Sequence, residues 1–184
     1  MRTIFKLRGW LMLIPMVFIT VCTAYETENE WLCFGLGGLV FVLGLVLRVW
    51  AQMHLHYRLR IRKELTVTGP YAFVRNPIYI GNTLMLAGAC MLAELFWFVP
   101  VQVLYCALVY TFVVRYEESH LADKYGGAYV EYMSRVPRWL PGLGLARLSA
   151  GAGVFRAYFT ASLWSEVHNL LLLSPFIIKE LLVS

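Results

Sequence analysis

Charged residues are scarce in this sequence, and long stretches contain none. Asp, Glu, Lys and Arg make up 15% of its 184 residues, whereas hydrophobic residues make up 60%. Soluble proteins average about 25% charged and about 45–50% apolar residues. A soluble domain of this size would have difficulty hiding so much apolar surface, so the shortage of charge predicts an integral membrane protein with one domain.

The sequence also lacks the motifs of several other protein classes. It has no zinc-finger spacing of Cys and His and no platform of basic and aromatic residues, so its net charge of +5 does not indicate a nucleic-acid partner. Lys and Arg instead cluster beside apolar segments, which indicates membrane topology and contact with membrane lipids. No cysteines are spaced for a metal site, and we expect Cys22, Cys33, Cys90 and Cys106 to be small buried side chains.

Four uncharged runs are each about long enough to cross the hydrocarbon core of a bilayer, which takes roughly 17–25 helical residues. They are Gly9–Tyr25, Trp31–Leu47, Asn76–Ala93 and Leu95–Val114. The first resembles a signal peptide, but three further runs favour a retained helix, which Pro15 would kink. The second contains small residues that would allow close helix contact in lipid, namely Gly35, Gly37, Gly38 and Gly44.

The distribution of charge predicts how these helices are oriented. Basic residues concentrate between the second and third runs, at Arg58, Arg60, Arg62, Lys63 and Arg75. The connection between the first two runs is acidic. The positive-inside rule therefore places both the loop before the third run and the chain after Arg115 in the cytoplasm. If the source is bacterial, the membrane is the inner or cell membrane. Two polar segments that are distant in sequence can then meet at one membrane face.

The first polar segment is Gly69–Gly81, GPYAFVRNPIYIG. Pro77 disfavours the α region for Asn76, so Asn76 should be extended, and Pro77 itself suits the first turn of a helix. Two interpretations stay open on local chemistry alone. The segment is either a membrane-entry loop whose Arg75 contacts lipid phosphates or a turn that binds a ligand.

The second polar segment is Arg115–Pro141. Helical spacing predicts one apolar face formed by Leu121, Tyr125, Ala128, Tyr132 and Val136, with Gly126-Gly127 weakening or breaking the helix. The adjacent carboxylates of Glu117 and Glu118 are costly at a membrane boundary unless they meet cations, water or a ligand. The alternative interpretation is that both carboxylates lie at a solvated helix end, with Arg115 and His120 as their partners.

The remaining segment, residues 142–184, begins with glycine and alanine and becomes apolar after Phe159, apart from Glu166, His168 and Asn169. It is either a fifth crossing bent at Pro175 or a helix in the membrane interface. We favour a crossing whose polar side faces the other helices, because Glu166 and His168 cannot both face lipid cheaply.

Both polar segments resemble one family. GPYAFVRNPIYIG resembles the GPYxxVRHPxYxG signature of the isoprenylcysteine carboxyl methyltransferase and phospholipid methyltransferase group. EESHLADKYGGAYVEYMSRVPRWLP is similar to that group's second signature, a Glu-Glu pair followed by L-x-x-x-[FY]-G-x-x-Y-x-x-Y and a Val-Pro-Arg end. The two matches occur in the right order, one helical hairpin apart, and cover about Thr68–Pro141.

The resemblance implies an all-α integral membrane enzyme with four to five transmembrane helices and a cytosolic amphipathic segment that forms the active site. As a single domain it would have two N-terminal helices within residues 1–50, a catalytic core at residues 68–141 and a helical extension at residues 142–184. It implies S-adenosylmethionine as cofactor and a lipid or prenylated acceptor, either an isoprenylcysteine-type carboxylate, a phospholipid amine, or another isoprenoid or fatty acid. The oligomeric state is left open.

The resemblance also assigns site residues and one departure. The cofactor-binding residues it implies are Tyr71, Arg75, Asn76, Tyr79, Gly81, Glu117, Glu118 and His120, and the catalytic residues are Glu118 and Arg138, with no metal. Of the two carboxylates, Glu118 is expected to face the cofactor. Asn76 stands where the family signature has His, and Asn cannot titrate near neutral pH. Two alternatives are a sterol-reductase-like enzyme that uses NADPH and a non-catalytic membrane bundle.

Overall fold

The computed structural model describes residues 2–22, 29–56, 64–141 and 152–173, and the secondary structure in these ranges is entirely helical, as expected. The helices are α1 (Arg2–Leu11), α2 (Leu13–Val21), α3 (Glu30–Leu32), α4 (Gly38–His56), α5 (Pro77–Leu92), α6 (Val99–Tyr125), α7 (Gly127–Arg135) and α8 (Ala152–Glu166). A π-helical turn, Cys33–Gly37, joins α3 to α4. Short 3-10 turns lie at Gly69–Ala72, Phe96–Phe98 and Val167–Leu173.

Two helical segments of the described chain are long and apolar enough to cross a membrane, Cys33–His56 and Phe96–Tyr125. Helix α5 is also apolar but shorter. Large apolar side chains are exposed on both long segments, among them Leu39, Val42, Leu43, Leu104 and Leu108. Exposed apolar surface of this extent suits contact with lipid. The expected count of four to five crossings stays a prediction beyond these two.

The first predicted crossing is divided into α1 and α2, and Pro15 accounts for the break. Proline has no N–H to donate to the carbonyl four residues earlier, and its ring crowds that carbonyl. The carbonyl oxygen of Leu11 therefore lacks its helical partner, and the hydroxyl of Tyr105 on α6 donates a hydrogen bond to it at 2.8 Å. The expected kink is confirmed, although the helix begins at Arg2, before the predicted start at Gly9.

Helices α4 and α5 pack so closely that glycines meet backbone. A Cβ placed on Gly44 would lie 2.7 Å from the carbonyl oxygen of Gly81, and one on Gly88 would lie 2.5 Å from the backbone nitrogen of Phe41. Neither position has room for a larger side chain. The expected small-residue contact is confirmed at Gly37 and Gly44 but not at Gly35 and Gly38, where an added Cβ would meet no atom of another element within 4 Å.

The loop before α5 is held against α4. Gly69 has a φ of +63°, and its Cα faces the ring of His54 so closely that a Cβ would lie 2.4 Å from it. Asn76 has φ −129° and ψ 54°, outside the helical region, and α5 begins at Pro77 as predicted. The backbone of Asn76 is therefore non-helical as expected, but it is not fully extended, because its ψ lies below the β region.

The predicted amphipathic helix over Leu121–Val136 is two helices, because Gly126 adopts φ +55° and ψ −131° and ends α6. Helix α7 then starts in a new register, which buries Tyr129 and Tyr132. The expectation that Ala128 lies on the buried face is wrong, since that side chain is exposed. A face extrapolated through Gly126 cannot hold once the helix stops and restarts.

Helix α8 packs against α4. Its Glu166 is 1% exposed and faces Arg48 of α4, which confirms that the polar side of this segment turns toward the other helices. The side chain of His168 and the predicted bend at Pro175 lie outside the described residues. The four cysteines are free thiols, and three of them, Cys33, Cys90 and Cys106, are buried as expected.

Candidate active site

A cavity of about 1020 Å³ lies between the N-terminal helices, α4, α5 and α6. One end is polar and is formed where α5 begins and α6 ends. The other end is apolar and is lined by Met12, Leu13, Met16 and Leu86. Such a mixture of a few polar groups with a largely apolar wall is typical of small-molecule sites.

Behind the lining of this cavity, Glu118 of α6 contacts both the loop before α5 and the chain after α7. Its carboxylate lies 2.9 Å from Nη1 of Arg75 and accepts hydrogen bonds from Arg138, from Nε at 3.1 Å and from Nη2. The hydrogen bond to Glu118 raises the pKa of Arg138. Two charge-assisted contacts to one buried carboxylate fix the loop before α5 and the chain after α7 in one arrangement.

Backbone contacts reinforce the same junction. The backbone N–H of Arg75 donates to the carbonyl oxygen of Pro137 at 2.9 Å. The side-chain amide of Asn76 donates to the carbonyl oxygen of Arg138 at 3.3 Å. Because these bonds link residues about sixty positions apart, the two polar segments identified in the sequence do meet, as predicted.

Two buried tyrosines attach α7 to the loop before α5. The hydroxyl of Tyr132 donates to the carbonyl oxygen of Tyr71 at 2.7 Å. Burial raises the pKa of Tyr132, and burial followed by the charge of Glu118 raises the pKa of Tyr129 to about 12. Both phenols therefore stay protonated at neutral pH and can act as hydrogen-bond donors.

Glu117 differs from Glu118 although the two are adjacent. Its Oε1 accepts a hydrogen bond from the hydroxyl of Tyr79 at 2.8 Å, and it lines the cavity. Successive helical residues point about 100° apart, so one carboxylate faces the cavity while the other faces the arginines. The partners of the pair are thus Tyr79, Arg75 and Arg138, and not the Arg115 and His120 of the alternative interpretation.

The other expected site residues divide into two groups. Tyr71, Arg75, Asn76, Tyr79, Glu117 and His120 line the cavity, with the His120 ring 4.5 Å from that of Tyr116. Glu118 and Arg138 lie behind the lining. Gly81 contacts Arg48 and Gly44 at the interface of α4 and α5, so its lack of a side chain serves helix packing.

Sequence reasoning missed a second polar cluster, in which Arg48 of α4 pairs with Glu166 of α8. Arg48, Asn82 and Asn169 from this cluster line the cavity. Its signal in the sequence is Arg48 itself, a single charge that follows an uncharged run of helix. Arg8 of α1 also lines the cavity and was not expected there.

The polar end has unused capacity for a ligand. The Nε of Arg75 is buried with no hydrogen-bond partner in the described part of the chain. Buried polar groups are normally satisfied, so an unpaired N–H on a side chain that lines the cavity is suited to an acceptor atom of a ligand. Glu117 can accept from an ammonium or from hydroxyls. No group of three or more His, Cys, Asp or Glu suited to a metal ion occurs in residues 2–22, 29–56, 64–141 and 152–173.

Comparison with known proteins gives a family match and several relatives. A family model described as phospholipid methyltransferase matches residues 32–128, just over half of the chain. A nickel-cobalt-cadmium resistance protein, NccN, of Alcaligenes xylosoxydans xylosoxydans is 27% identical over 84% of this chain and 75% of its own length. No solved structure matches.

Two further relatives are covered over less than two thirds of their own length. A cobalt-zinc-cadmium resistance protein, CzcN, of Cupriavidus metallidurans is 29% identical over 75% of this chain and 64% of its own. Protein-S-isoprenylcysteine O-methyltransferase B of Arabidopsis thaliana is 29% identical over 62% of each chain.

Proposed function

Because this chain belongs to the phospholipid methyltransferase family, a family of membrane methyltransferases, we propose that it transfers a methyl group from S-adenosylmethionine to a lipid-like acceptor at the cytoplasmic membrane face. The acceptor is an isoprenylcysteine-type carboxylate or a phospholipid amine. The resistance names of two relatives specify no reaction, so the proposal depends on the family and on the isoprenylcysteine relative.

One observation carries the proposal: a single cavity connects the polar pair of Glu117 and Tyr79 with an apolar end. A charged cofactor and a hydrophobic acceptor need both environments in one space. Residues 68–141 then form the catalytic core of a single domain, while α1, α2, α4 and the 3-10 turn after α8 complete the cavity.

The residues at the polar end fit the cofactor chemically. Glu117 accepts hydrogen bonds from an ammonium or from ribose hydroxyls, and the free Nε–H of Arg75 donates to a carboxylate. The ring of Tyr79 suits a neighbouring cation. When bound, S-adenosylmethionine supplies a methyl group on a sulfonium, and its transfer to the acceptor releases S-adenosylhomocysteine.

The chain itself contributes position and a water-poor environment. Glu118 fixes Arg75 and Arg138, so the groups that bind cofactor are held before it arrives. Preorganisation and exclusion of water are the main means of catalysis for such an in-line displacement. Asn76 supplies a hydrogen bond but no titratable base, which favours a carboxylate acceptor, since that group is already deprotonated at neutral pH.

Titration calorimetry of the purified protein with S-adenosylhomocysteine tests this function. Glu117→Gln removes a charge-assisted hydrogen bond worth about 1.5–3 kcal/mol, so affinity should fall roughly ten- to hundred-fold. Glu131→Gln is the matched control, because Glu131 is an exposed carboxylate of α7 that pairs with Arg135. Glu131→Gln should bind S-adenosylhomocysteine with the affinity of the wild type.

Two results would contradict the proposal. Binding of NADPH in place of S-adenosylhomocysteine would favour a reductase, and binding of neither would favour a non-catalytic bundle. Unchanged affinity in both Glu117→Gln and Glu118→Gln would exclude the carboxylate pair from cofactor binding. Melting temperatures in the same detergent show whether Glu118→Gln, which disturbs a buried ion pair, still folds.

A further inference from the structure

Arg48 is a charged residue within a helical segment, Cys33–His56, that is apolar enough to cross a membrane. Its side chain is 9% exposed and lines the cavity. An ionisable residue at membrane depth is costly, and where one occurs it commonly marks a site for a polar ligand or ion. The cofactor site proposed above gives Arg48 no role.

The guanidinium of Arg48 is held in one orientation. Its Nε lies 2.6 Å from Oε2 of Glu166 and its Nη2 lies 3.0 Å from Oε1, a two-pronged contact. Nη1 donates to Oδ1 of Asn82. Arginine has five N–H donors, and these contacts use three of them in the described residues. The remaining two N–H groups have no hydrogen bond to the described residues, and they belong to a side chain that lines the cavity.

Stability alone gives no reason to keep this pair. Replacing a buried ion pair by apolar residues of similar volume is often neutral or stabilising, because removing two charges from water offsets their attraction. Glu166 is almost completely buried, so the pair falls in this class. Arg48 nevertheless lines the cavity while Glu166 lies behind it, and this placement of the guanidinium indicates a ligand.

The contact of Arg48 with Asn82 on α5 indicates which part of a ligand the guanidinium meets. Tyr79, Asn82 and Leu86 all line the cavity and follow one face of the helix at spacings of three and four residues. Tyr79 contacts Glu117 at the polar end, Asn82 contacts Arg48, and Leu86 belongs to the apolar end. Arg48 is therefore between the cofactor residues and the apolar end, where the head group of an acceptor must lie.

We propose that Arg48 binds an oxygen atom in the head group of the acceptor, and that Glu166 is the positioning residue that holds the guanidinium for it. The identification of this ligand as a methyl acceptor rests on the proposed function. The chemistry required is a hydrogen-bond-accepting oxygen next to a long apolar chain. A carboxylate on a prenyl thioether and the phosphate of a phospholipid both provide it.

The positioning residue lies outside the part of the chain that matches the family, which ends at residue 128. Arg48 and Asn82 lie inside that part, whereas Glu166 and Asn169 come from the C-terminal segment. The acceptor site is thus completed by α8 and the turn that follows it.

Two pairs of probes test the proposal with the full chain in one detergent. The first pair is a farnesyl thioether that ends in a carboxylate and the same thioether that ends in a methyl group. The second is dihexanoyl phosphatidylethanolamine and dihexanoyl glycerol. Calorimetry without cofactor gives the head-group advantage, defined as the ratio of dissociation constants within a pair. The pair that shows the larger advantage identifies the source of the oxygen.

The decisive variant is Arg48→Met/Glu166→Met, which removes both charges and leaves none unpaired. We expect the wild type to show a head-group advantage of roughly ten- to hundred-fold, from hydrogen bonds to a charged donor. The double variant should show none, while its melting temperature and its affinity for S-adenosylhomocysteine stay close to those of the wild type. Glu166→Gln should reduce the advantage, because the guanidinium keeps one neutral partner and loses its fixed orientation.

The matched control is Arg135→Met/Glu131→Met, which removes an exposed ion pair on α7 and should keep the full advantage. An equal advantage in the wild type and in Arg48→Met/Glu166→Met would overturn the proposal, as would no advantage in the wild type. Failure of the wild type to bind S-adenosylhomocysteine would contradict the proposed function alone, since the head-group advantage is measured without cofactor.

Discussion

At the scale of single residues, the two adjacent glutamates have different tasks. Glu118 is buried between Arg75 and Arg138, whereas Glu117 lines the cavity with Tyr79. The sequence predicted that these carboxylates would reach the loop before α5, because α5 and α6 are consecutive helices. It favoured Glu118 as the residue that faces the cofactor, whereas Glu117 is the one that lines the cavity, because a rotation of α6 by about 100° exchanges the two.

Asn76 allows a test at the same scale, because the family signature has His at this position. Its amide donates to the carbonyl oxygen of Arg138, a bond that an imidazole N–H can also make. We expect Asn76→His to keep or raise the affinity for S-adenosylhomocysteine, measured by calorimetry, and Asn76→Leu to lower it, since leucine has no donor. Equal affinities in all three proteins would show that this position does not affect cofactor binding.

At the scale of helices, the start of α5 could be predicted from the sequence, whereas the pairing of α8 with α4 could not. Pro77 marks the start of α5 because its missing N–H is harmless only in a first turn. The pairing of α8 with α4 had no comparable signal, since Arg48 and Glu166 are 118 positions apart and no periodic pattern connects them. The spacing of glycines indicated that the second run packs closely against another helix. It did not identify which of those glycines make the contact.

The break between α6 and α7 gives a prediction at this scale. Gly126 has φ +55° and ψ −131°, a conformation that costs L-residues with a side chain of the order of 1–3 kcal/mol. Gly126→Ala should therefore lower the melting temperature and loosen α7, on which Tyr132 contacts the loop before α5. Thermal unfolding in detergent measures the effect.

Gly127→Ala is the control for that experiment. A Cβ at Gly127 meets no atom within 4 Å, and Gly127 begins a helix without a positive φ. This substitution should be neutral or slightly stabilising, because alanine favours a helix more than glycine does. If both variants melt at the same temperature as the wild type, the conformation of Gly126 does not limit stability.

At the scale of the whole molecule, the proposed orientation places both polar segments in the cytoplasm. Single cysteines at the exposed positions Val67 and Ser134, in a variant without other cysteines, should react with a membrane-impermeant reagent only from the cytoplasmic side. The reason is the concentration of Lys and Arg around these segments. Reaction of either position from the opposite side would separate the two segments that form the site.

The glycine contact between α4 and α5 has a consequence for how this protein can change over time. Any nucleotide substitution that replaces a glycine adds a Cβ, and at Gly44, Gly81 and Gly88 that atom would collide with the backbone of the facing helix. No smaller residue exists, so drift cannot adjust this interface in small steps. Single substitutions at these glycines therefore cannot adjust the distance between α4 and α5. The residues of the cavity wall beside them can be substituted one side chain at a time.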